Sequence, residues 1–241
     1  MTLQPHERIL VALDTTDAGV ATSLSRQVAG SVGGMKIGKE FFTALGPEGV
    51  RRVMDHGVPL FLDLKFHDIP NTVAGAIRSA VRLTPLMVNV HAAGGAAMLR
   101  AAADAAEEAA TATGVTRPWV LAVTVLTSLD QNDLAAIGVA GSVLDQVKRL
   151  AALAQENGID GVVCSGAEIE ALRNQCGPDF KLVVPGIRPA WAAAGDQKRI
   201  LTPADAVSRG ADYLVIGRPI TGADDPAEAA ARIKDELDGV N

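Results

Sequence analysis

The sequence has few cysteines and no dense run of basic residues. Cys164 and Cys176 are the only cysteines among 241 residues, which excludes a disulfide framework, and neither lies at a metal-ligand spacing from histidines. The net charge of -6, with Lys and Arg dispersed along the chain, argues against a nucleic-acid partner, because affinity for a phosphate backbone needs clustered positive charge. The low cysteine usage suits a reducing cytosol, and we expect a cytoplasmic protein.

The sequence also lacks a secretory signal and a membrane span. Residues 1–8 are polar and lead directly into an apolar segment, without the charged, apolar and small-residue order of a signal peptide. The longest uncharged stretch, residues 83–99, is interrupted by Pro85, Asn89 and a pair of glycines, which indicates a strand, a loop and the start of a helix. We therefore expect neither export nor a membrane partner.

Strand-like runs alternate with helical segments along the whole chain, which is 48% apolar and 21% charged. Runs rich in Leu or β-branched residues recur about every 25 to 30 residues, the spacing of one βα unit. Their nearly continuous apolar character is typical of parallel strands that are buried on both faces. The predicted strands are Ile9–Leu13, Met35–Gly38, Leu60–Lys65, Leu86–His91, Trp119–Thr124, Gly161–Cys164, Lys181–Val184 and Tyr213–Gly217.

Eight such units without a Pro, Gly or Ser-rich linker predict one α/β domain over residues 1–241, a closed (β/α)8 TIM barrel. Helical patterns between the strands include Ala96–Ala110 and Ala227–Leu237. An open doubly wound sheet is the competing fold. Its first turn is usually rich in glycine, whereas the turn after the first predicted strand, residues 13–17, contains none.

Charged residues collect at the carboxyl ends of the predicted strands, where function gathers in barrels of this kind. Asp63 and Lys65 lie two residues apart on one strand, so the strand period sends both side chains into the barrel mouth. A structural ion pair would explain these two alone. Lys36 on the neighbouring strand and Asp68 just beyond bring a second pair of opposite charges close by, which favours a functional array.

Three residues near these strand ends also have plain structural interpretations. Asp68 precedes Ile69 and Pro70, and an acid before a proline-led first turn stabilises the start of a helix. His67 and His91 are single histidines beside strand ends, which are more often packed or hydrogen-bonded than catalytic. The roles of the two histidines stay undetermined.

Glycine and arginine follow the seventh and eighth predicted strands, in residues 184–188 and 215–218. Glycine lets backbone N–H groups approach an anion, arginine offers a bidentate fork, and these two loops are the usual phosphate position in such barrels. Arg188 or Arg218 alone would fit a surface salt bridge, but together they predict a phosphate site. The residues thus indicate a phosphorylated small molecule, and they leave proton abstraction, Schiff-base chemistry and metal binding open.

The segment Asp63-Leu64-Lys65-Phe66-His67-Asp68-Ile69-Pro70-Asn71-Thr72 resembles the signature of the orotidine 5′-phosphate decarboxylases of the shorter bacterial type. Further segments resemble that family in the same order over nearly the whole chain: 11–14, 36–38, 88–92, 126–128, 185–188, 195–197 and 216–220. The resemblance implies a lyase of pyrimidine biosynthesis that converts orotidine 5′-monophosphate into uridine 5′-monophosphate and carbon dioxide. It implies neither a metal nor a cofactor. Electrostatics would stabilise a C6 carbanion, which Lys65 would protonate.

The resemblance also implies roles for single residues. The catalytic charge array would consist of Lys36, Asp63, Lys65 and Asp68. The substrate would contact Asp14 and Lys36 at the ribose, Thr127 at the pyrimidine, and Arg188, Gln197, Gly217 and Arg218 at the phosphate. Pro185 would line the pocket, and the loop 188–197 would close over the ligand. Asp68, Ile69 and Thr72 would reach into the site of the partner subunit in a homodimer.

Two other functions remain open. A magnesium-dependent sugar-phosphate decarboxylase or synthase of the same superfamily shares the Asp-x-Lys-x-x-Asp core. The first strand end here offers one acid, Asp14, and no additional glutamate for a metal. A silent phosphate-binding barrel would share the fold, but a complete cluster of two lysines and two aspartates is costly to hold without a reaction.

Overall fold

Eight parallel strands and the helices between them make up the fold in the computed structural model, which describes residues 3–192 and 201–239. The strands pair in chain order and the eighth pairs with the first, so the sheet closes into a barrel. The strands are β1 Ile9–Leu13, β2 Gly34–Gly38, β3 Leu60–Phe66, β4 Met87–His91, β5 Trp119–Val123, β6 Gly161–Val163, β7 Lys181–Pro185 and β8 Tyr213–Ile216. The predicted (β/α)8 barrel is confirmed.

Helices separate the strands, and short 3-10 turns occur at Pro5–Arg8 and Ala92–Gly94. The α-helices are α1 Ala18–Val28, α2 Lys39–Met54, α3 Pro70–Val81, α4 Gly95–Thr113, α5 Gln131–Ala136, α6 Val143–Glu156, α7 Ile169–Cys176, α8 Pro203–Ser208, α9 Arg218–Thr221 and α10 Pro226–Asp238. None of the helices in the described part of the chain is long and apolar enough to cross a membrane.

The predicted strands are confirmed with bounds that differ by one residue or less at each end. Their residues are buried along nearly the whole length of β1 and β8, as expected for parallel strands covered on both faces. The two predicted helices lie within α4 and α10. Helix α4 ends at Gly114, whose left-handed φ of 68° suits a glycine cap, and α10 begins where Asp225 accepts a hydrogen bond from the backbone N–H of Glu228.

Two compact units are distinguished by their internal contacts: Met1–Leu64 with Val184–Asn241, and Lys65–Val183. The expectation of one domain over the whole chain stays a prediction.

The first unit contains the seam between the first and last strands. Leu10 pairs with Val215 in the β1–β8 register. The Arg8 side chain donates hydrogen bonds from Nη1 to the carbonyl oxygens of Ala211 and Asp212 at 3.3 and 3.2 Å. The residue that precedes β1 is therefore hydrogen-bonded to the residues that precede β8.

Candidate active site

Lys36 lies between two carboxylates in the first unit. Its backbone on β2 pairs with Ala12 on β1 and with Phe61 on β3, so Asp14 and Asp63 each follow two residues beyond those partners. Two residues of strand span roughly 6.6 Å, a rise that a lysine side chain covers. The Nζ atom of Lys36 lies 3.1 Å from Oδ1 of Asp14 and 3.7 Å from Oδ2 of Asp63.

The two ion pairs differ in their exposure to solvent. The side chains of Lys36 and Asp63 are 10% and 11% exposed, whereas that of Asp14 is 65% exposed. Water screens the contact with Asp14. The contact with Asp63 acts in a medium of lower dielectric constant, where attraction between charges is stronger and the cost of desolvating them is larger.

These charged residues line a cavity of about 260 Å³, close to the lower limit of ligand pockets at ~300 Å³. Its lining residues all belong to the first unit: Ala12, Asp14, Lys36, Asp63, Pro185, Gly186, Ile187, Arg188, Val215, Gly217, Arg218 and Pro219. The structure thus brings together seven of the predicted site residues, which are Asp14, Lys36, Asp63, Pro185, Arg188, Gly217 and Arg218.

The turn after β7 carries one arginine of the cavity lining. Gly186 has a φ of 80°, in the left-handed region that favours glycine. Arg188 follows two residues later with 6% of its surface exposed, and its backbone N–H donates to the carbonyl oxygen of Leu201 at 3.1 Å. Arg218 begins the short helix α9 directly after Gly217 and is exposed.

The cavity provides a local basic site in an acidic protein. Its lining has three cationic side chains, Lys36, Arg188 and Arg218, against two carboxylates, Asp14 and Asp63, in a chain of net charge -6. Within residues 3–192 and 201–239, no three His, Cys, Asp or Glu side chains cluster as metal ligands. The three cationic side chains of the lining suit an anionic ligand.

Lys65, at the start of the second unit, has an unusual backbone conformation. Its φ is 51°, a left-handed value that costs a non-glycine residue ~1–3 kcal/mol. Its backbone N–H donates to Oδ1 of Asn89 at 2.7 Å, and Asn89 is fully buried on β4. The extended backbone assumed by the strand period does not hold at Lys65, so alternation with Asp63 does not by itself set the direction of the lysine side chain.

The two histidines whose roles the sequence leaves undetermined contact each other. The rings of His67, just after β3, and His91, the last residue of β4, are stacked with centroids 5.3 Å apart and planes inclined by 28°. The two histidines are therefore packed against each other, as the structural interpretation of these residues expects.

The segment after β3 carries the residues predicted to reach a partner subunit. Asp68, Ile69 and Thr72 are exposed, and 67% of Ile69 is accessible to solvent. Helix α3 begins at Pro70 without a side-chain cap, and Oδ1 of Asp68 accepts a hydrogen bond from the N–H of Ile69 at 2.7 Å. Asp68 thus lies one residue before the N-cap Ile69, at the helix start where the structural interpretation of this acid expects it, and it does not act as a side-chain cap of α3.

Two other predicted ligand contacts lie apart from the cavity lining of the first unit. Thr127 belongs to the second unit, where it is exposed in the loop after β5. Gln197, and the loop 188–197 from residue 193 onward, lie outside the described residues.

Asn89 and Glu168 are two of the buried polar residues that were not singled out from the sequence. Asn89 had a signal, because an amide in the middle of the apolar run Met87–His91 needs a specific hydrogen-bond partner. Glu168, which lies beyond β6, had no such signal in the sequence. Burial raises the pKa of its carboxyl from the ordinary value of 4.5, while hydrogen bonds from Ser165 oppose that change. One of them runs from the Ser165 N–H to Oε2 at 2.8 Å.

Comparison with known proteins gives one consistent family. The model of the orotidine 5′-phosphate decarboxylase / HUMPS family matches residues 7–233. The orotidine 5′-phosphate decarboxylase of Paramagnetospirillum magneticum is 61% identical over 229 residues, which are 95% of this chain and 97% of that protein. The protein of the same name from Rhodospirillum rubrum is 56% identical over 232 residues, covering 96% of this chain and 94% of that one.

Solved structures agree with these relatives. The crystal structure of orotidine 5′-phosphate decarboxylase from Lactobacillus acidophilus superposes with a TM-score of 0.85 at 36% identity, over 96% of this chain and 99% of that one. The structure of the protein of the same name from Pyrococcus horikoshii gives a TM-score of 0.77 at 27% identity, over 96% and 100% of the two chains.

Proposed function

This chain belongs to the orotidine 5′-phosphate decarboxylase / HUMPS family, and we propose from that premise that it converts orotidine 5′-monophosphate into uridine 5′-monophosphate and carbon dioxide. It does so as a cytoplasmic enzyme of pyrimidine biosynthesis, a single (β/α)8 domain that needs neither a metal nor a cofactor. The observation that carries the proposal is the cavity in which the buried Lys36–Asp63 pair and two arginines meet.

Asp63 supplies the first part of the chemistry. Its carboxylate is 11% exposed and fixed by Lys36, so the substrate carboxylate binds against a negative charge that cannot move away. Two such charges ~4 Å apart repel by ~4 kcal/mol at an effective dielectric constant of ~20. The repulsion is relieved as neutral carbon dioxide leaves, which lowers the transition state relative to the bound substrate.

Lys65 supplies the second part. The bond between C6 and the carboxylate carbon breaks, and its electron pair remains on C6. The ammonium group of Lys65 stabilises that charge as it develops and then transfers a proton to C6. The products are uridine 5′-monophosphate and carbon dioxide, and Lys65 regains its proton from water. Asp68 completes the charge array with Lys36 and Asp63.

The phosphate is bound far from the reacting carbon. Arg188, Gly217 and Arg218 in the cavity lining bind it, Gln197 adds a further contact, and Pro185 lines the pocket. Asp14 and Lys36 hold the ribose hydroxyls, and Thr127 contacts the pyrimidine. Binding energy from the phosphate is used to order the charge array around the ring, so it appears in turnover as well as in affinity.

The test is the absorbance change of orotidine 5′-monophosphate when it is incubated with the purified protein and an excess of chelator. Lys65→Ala is the informative variant. Lys234→Ala is its matched control, because Lys234 lies on α10, where it pairs with Asp238 at 3.4 Å. We expect rapid loss of substrate with the parent and with Lys234→Ala, and no loss with Lys65→Ala.

Two results would contradict the proposal. A reaction that stops with chelator and returns with magnesium would favour the sugar-phosphate enzymes of the superfamily. No reaction by the parent, together with binding of uridine 5′-monophosphate, would favour a silent phosphate-binding barrel.

We further propose a homodimer in which Asp68, Ile69 and Thr72 complete the site of the partner subunit. Their exposure supports this arrangement, since all three side chains are accessible to a second copy of the chain. Mixing inactive Lys65→Ala and Asp68→Asn chains tests it. A mixed dimer then has one site with both defects and one intact site, so activity should return. Continued inactivity after subunit exchange would refute shared sites.

A further inference from the structure

We infer that Asn89 is a positioning residue for Lys65, because its amide oxygen holds the lysine backbone in the left-handed conformation from which the side chain acts. The inference rests on the proposed function, in which Lys65 protonates C6. Neither the sequence pattern nor the charge array requires an amide at position 89.

The geometry at Lys65 needs a support from outside its own strand. A φ of 51° is unfavourable for any residue with a Cβ atom. Oδ1 of Asn89 accepts a hydrogen bond from the Lys65 N–H at 2.7 Å, a short and partly buried contact. Without this acceptor the N–H would lose its partner, and the backbone would relax toward negative φ and turn the side chain.

The position of Asn89 is itself fixed by its surroundings. It lies in the middle of β4, opposite Leu121 in the register with β5, and none of its surface is exposed. Val88 and Val90 on either side are also fully buried. A short side chain on a packed strand presents its oxygen at one fixed point, which is the requirement for a group that orients another.

The histidine stack is a second contact between the same two segments. His91 lies two residues after Asn89 on β4, and His67 lies two residues after Lys65. Their stacked rings join the ends of these segments, as the Asn89 hydrogen bond joins them at Lys65. Strand β4 therefore holds residues 65–67 at two points, of which the one at Asn89 acts on the catalytic lysine.

The informative variants are Asn89→Leu, which keeps the volume and removes the acceptor, and Asn89→Asp, which keeps an acceptor oxygen at the same place. The matched control is Thr124→Val. Thr124 is 3% exposed at the end of β5, and its hydroxyl donates to the carbonyl oxygen of Val163 at 3.2 Å. This substitution removes a side-chain hydrogen bond of another buried residue in the second unit and keeps the bond between the Lys65 N–H and Asn89.

We expect Asn89→Leu to lower kcat on the order of 100-fold, the loss typical of a catalytic group displaced by about 1 Å. The KM for orotidine 5′-monophosphate and the Kd for uridine 5′-monophosphate should stay nearly unchanged, and the alkaline limb of the kcat profile should move. Asn89→Asp should recover most of the turnover at its own pH optimum. Thr124→Val should keep the kcat of the parent.

A packing role predicts a different result, in which stability falls but kcat per folded molecule does not. Parental kcat and an unchanged pH profile in Asn89→Leu would overturn the inference, as would an equal loss in Asn89→Asp. If Asn89→Leu does not fold, Asn89→Ser is used instead. The serine side chain is too short for its hydroxyl to reach the Lys65 N–H, so this variant also removes the acceptor. The parent and Lys65→Ala are assayed in parallel. An inactive parent would show that the proposed function is wrong, whereas an active parent with unaffected Asn89 variants would overturn only the role of Asn89.

Discussion

The two ion pairs of Lys36 allow a test in which distance and burial give opposite answers. Asp14 is the nearer partner at 3.1 Å and Asp63 the farther at 3.7 Å, but Asp14 is 65% exposed and Asp63 only 11%. We predict that the longer contact contributes the larger coupling energy to the free energy of unfolding.

The magnitudes follow from Coulomb's law. At 3.7 Å and an effective dielectric constant of ~20, the attraction between Lys36 and Asp63 is about 4 kcal/mol. At 3.1 Å in a medium close to bulk water, the attraction between Lys36 and Asp14 is about 1 kcal/mol. Screening by salt reduces the second further and changes the first little.

Double-mutant cycles in urea measure both energies. The first cycle combines Lys36→Met with Asp63→Asn, and the second combines Lys36→Met with Asp14→Asn. The coupling energy removes the effect of each single substitution, including any stabilisation gained when a charge leaves the active site. We expect a coupling of about 2–4 kcal/mol in the first cycle and below about 1 kcal/mol in the second. Repetition at high ionic strength should reduce only the second.

An equal or larger coupling with Asp14 would refute the reasoning. It would mean that the separation of the atoms, and not the exposure of the side chains, governs the energies in this cavity.

Three further predictions concern other parts of the molecule. Arg218→Ala should lower both kcat and kcat/KM about 10- to 100-fold, as loss of a charge-assisted hydrogen bond implies, and unchanged turnover at saturating substrate would contradict this. Glu168→Gln should raise the free energy of unfolding at neutral pH but not below pH 4.5. Burial raises the folded-state pKa of Glu168 from 4.5, so the parent loses stability as pH rises through that folded value; parallel pH curves from urea denaturation would refute it. Burial also raises the pKa of Tyr213, the single tyrosine, to about 12; tyrosinate absorbance should therefore appear only near that pH, and its appearance near pH ~10 in the folded protein would refute the effect of burial.

The sequence predicts the barrel well because buried parallel strands have a plain signature. Runs such as Ile9–Leu13 are apolar at every position, and polar residues begin directly where the strand ends. The cavity lining is predicted for a related reason. The carboxyl ends of parallel strands meet at one edge, so residues as distant in sequence as Asp14 and Arg218 are placed together by topology alone.

The conformation of Lys65 is not predictable in the same way. The local sequence from Asp63 to Phe66 contains no glycine or asparagine to announce a left-handed residue. At this position the Lys65 N–H donates a hydrogen bond to Asn89 on another strand, and we infer that this contact holds the conformation. The alternation of side chains along a strand describes only extended backbone. It cannot indicate the position at which a tertiary contact holds a residue in another conformation. The difference in exposure between Asp14 and Asp63 is not predictable from the sequence either. Both are acids near a strand end, and only their tertiary surroundings make one exposed and the other buried.

The seam between β1 and β8 has a consequence for biosynthesis. Leu10 and Val215 are paired across it, and the cavity needs Asp14 and Lys36 from one side of the seam and Arg218 from the other. A chain still on the ribosome can form helices and neighbouring strands early, but contacts over so long a separation come last. The binding cavity therefore arises only when the barrel has closed. A ligand that fills it binds the closed barrel and not the unfolded chain, and it therefore stabilises the closed form by mass action.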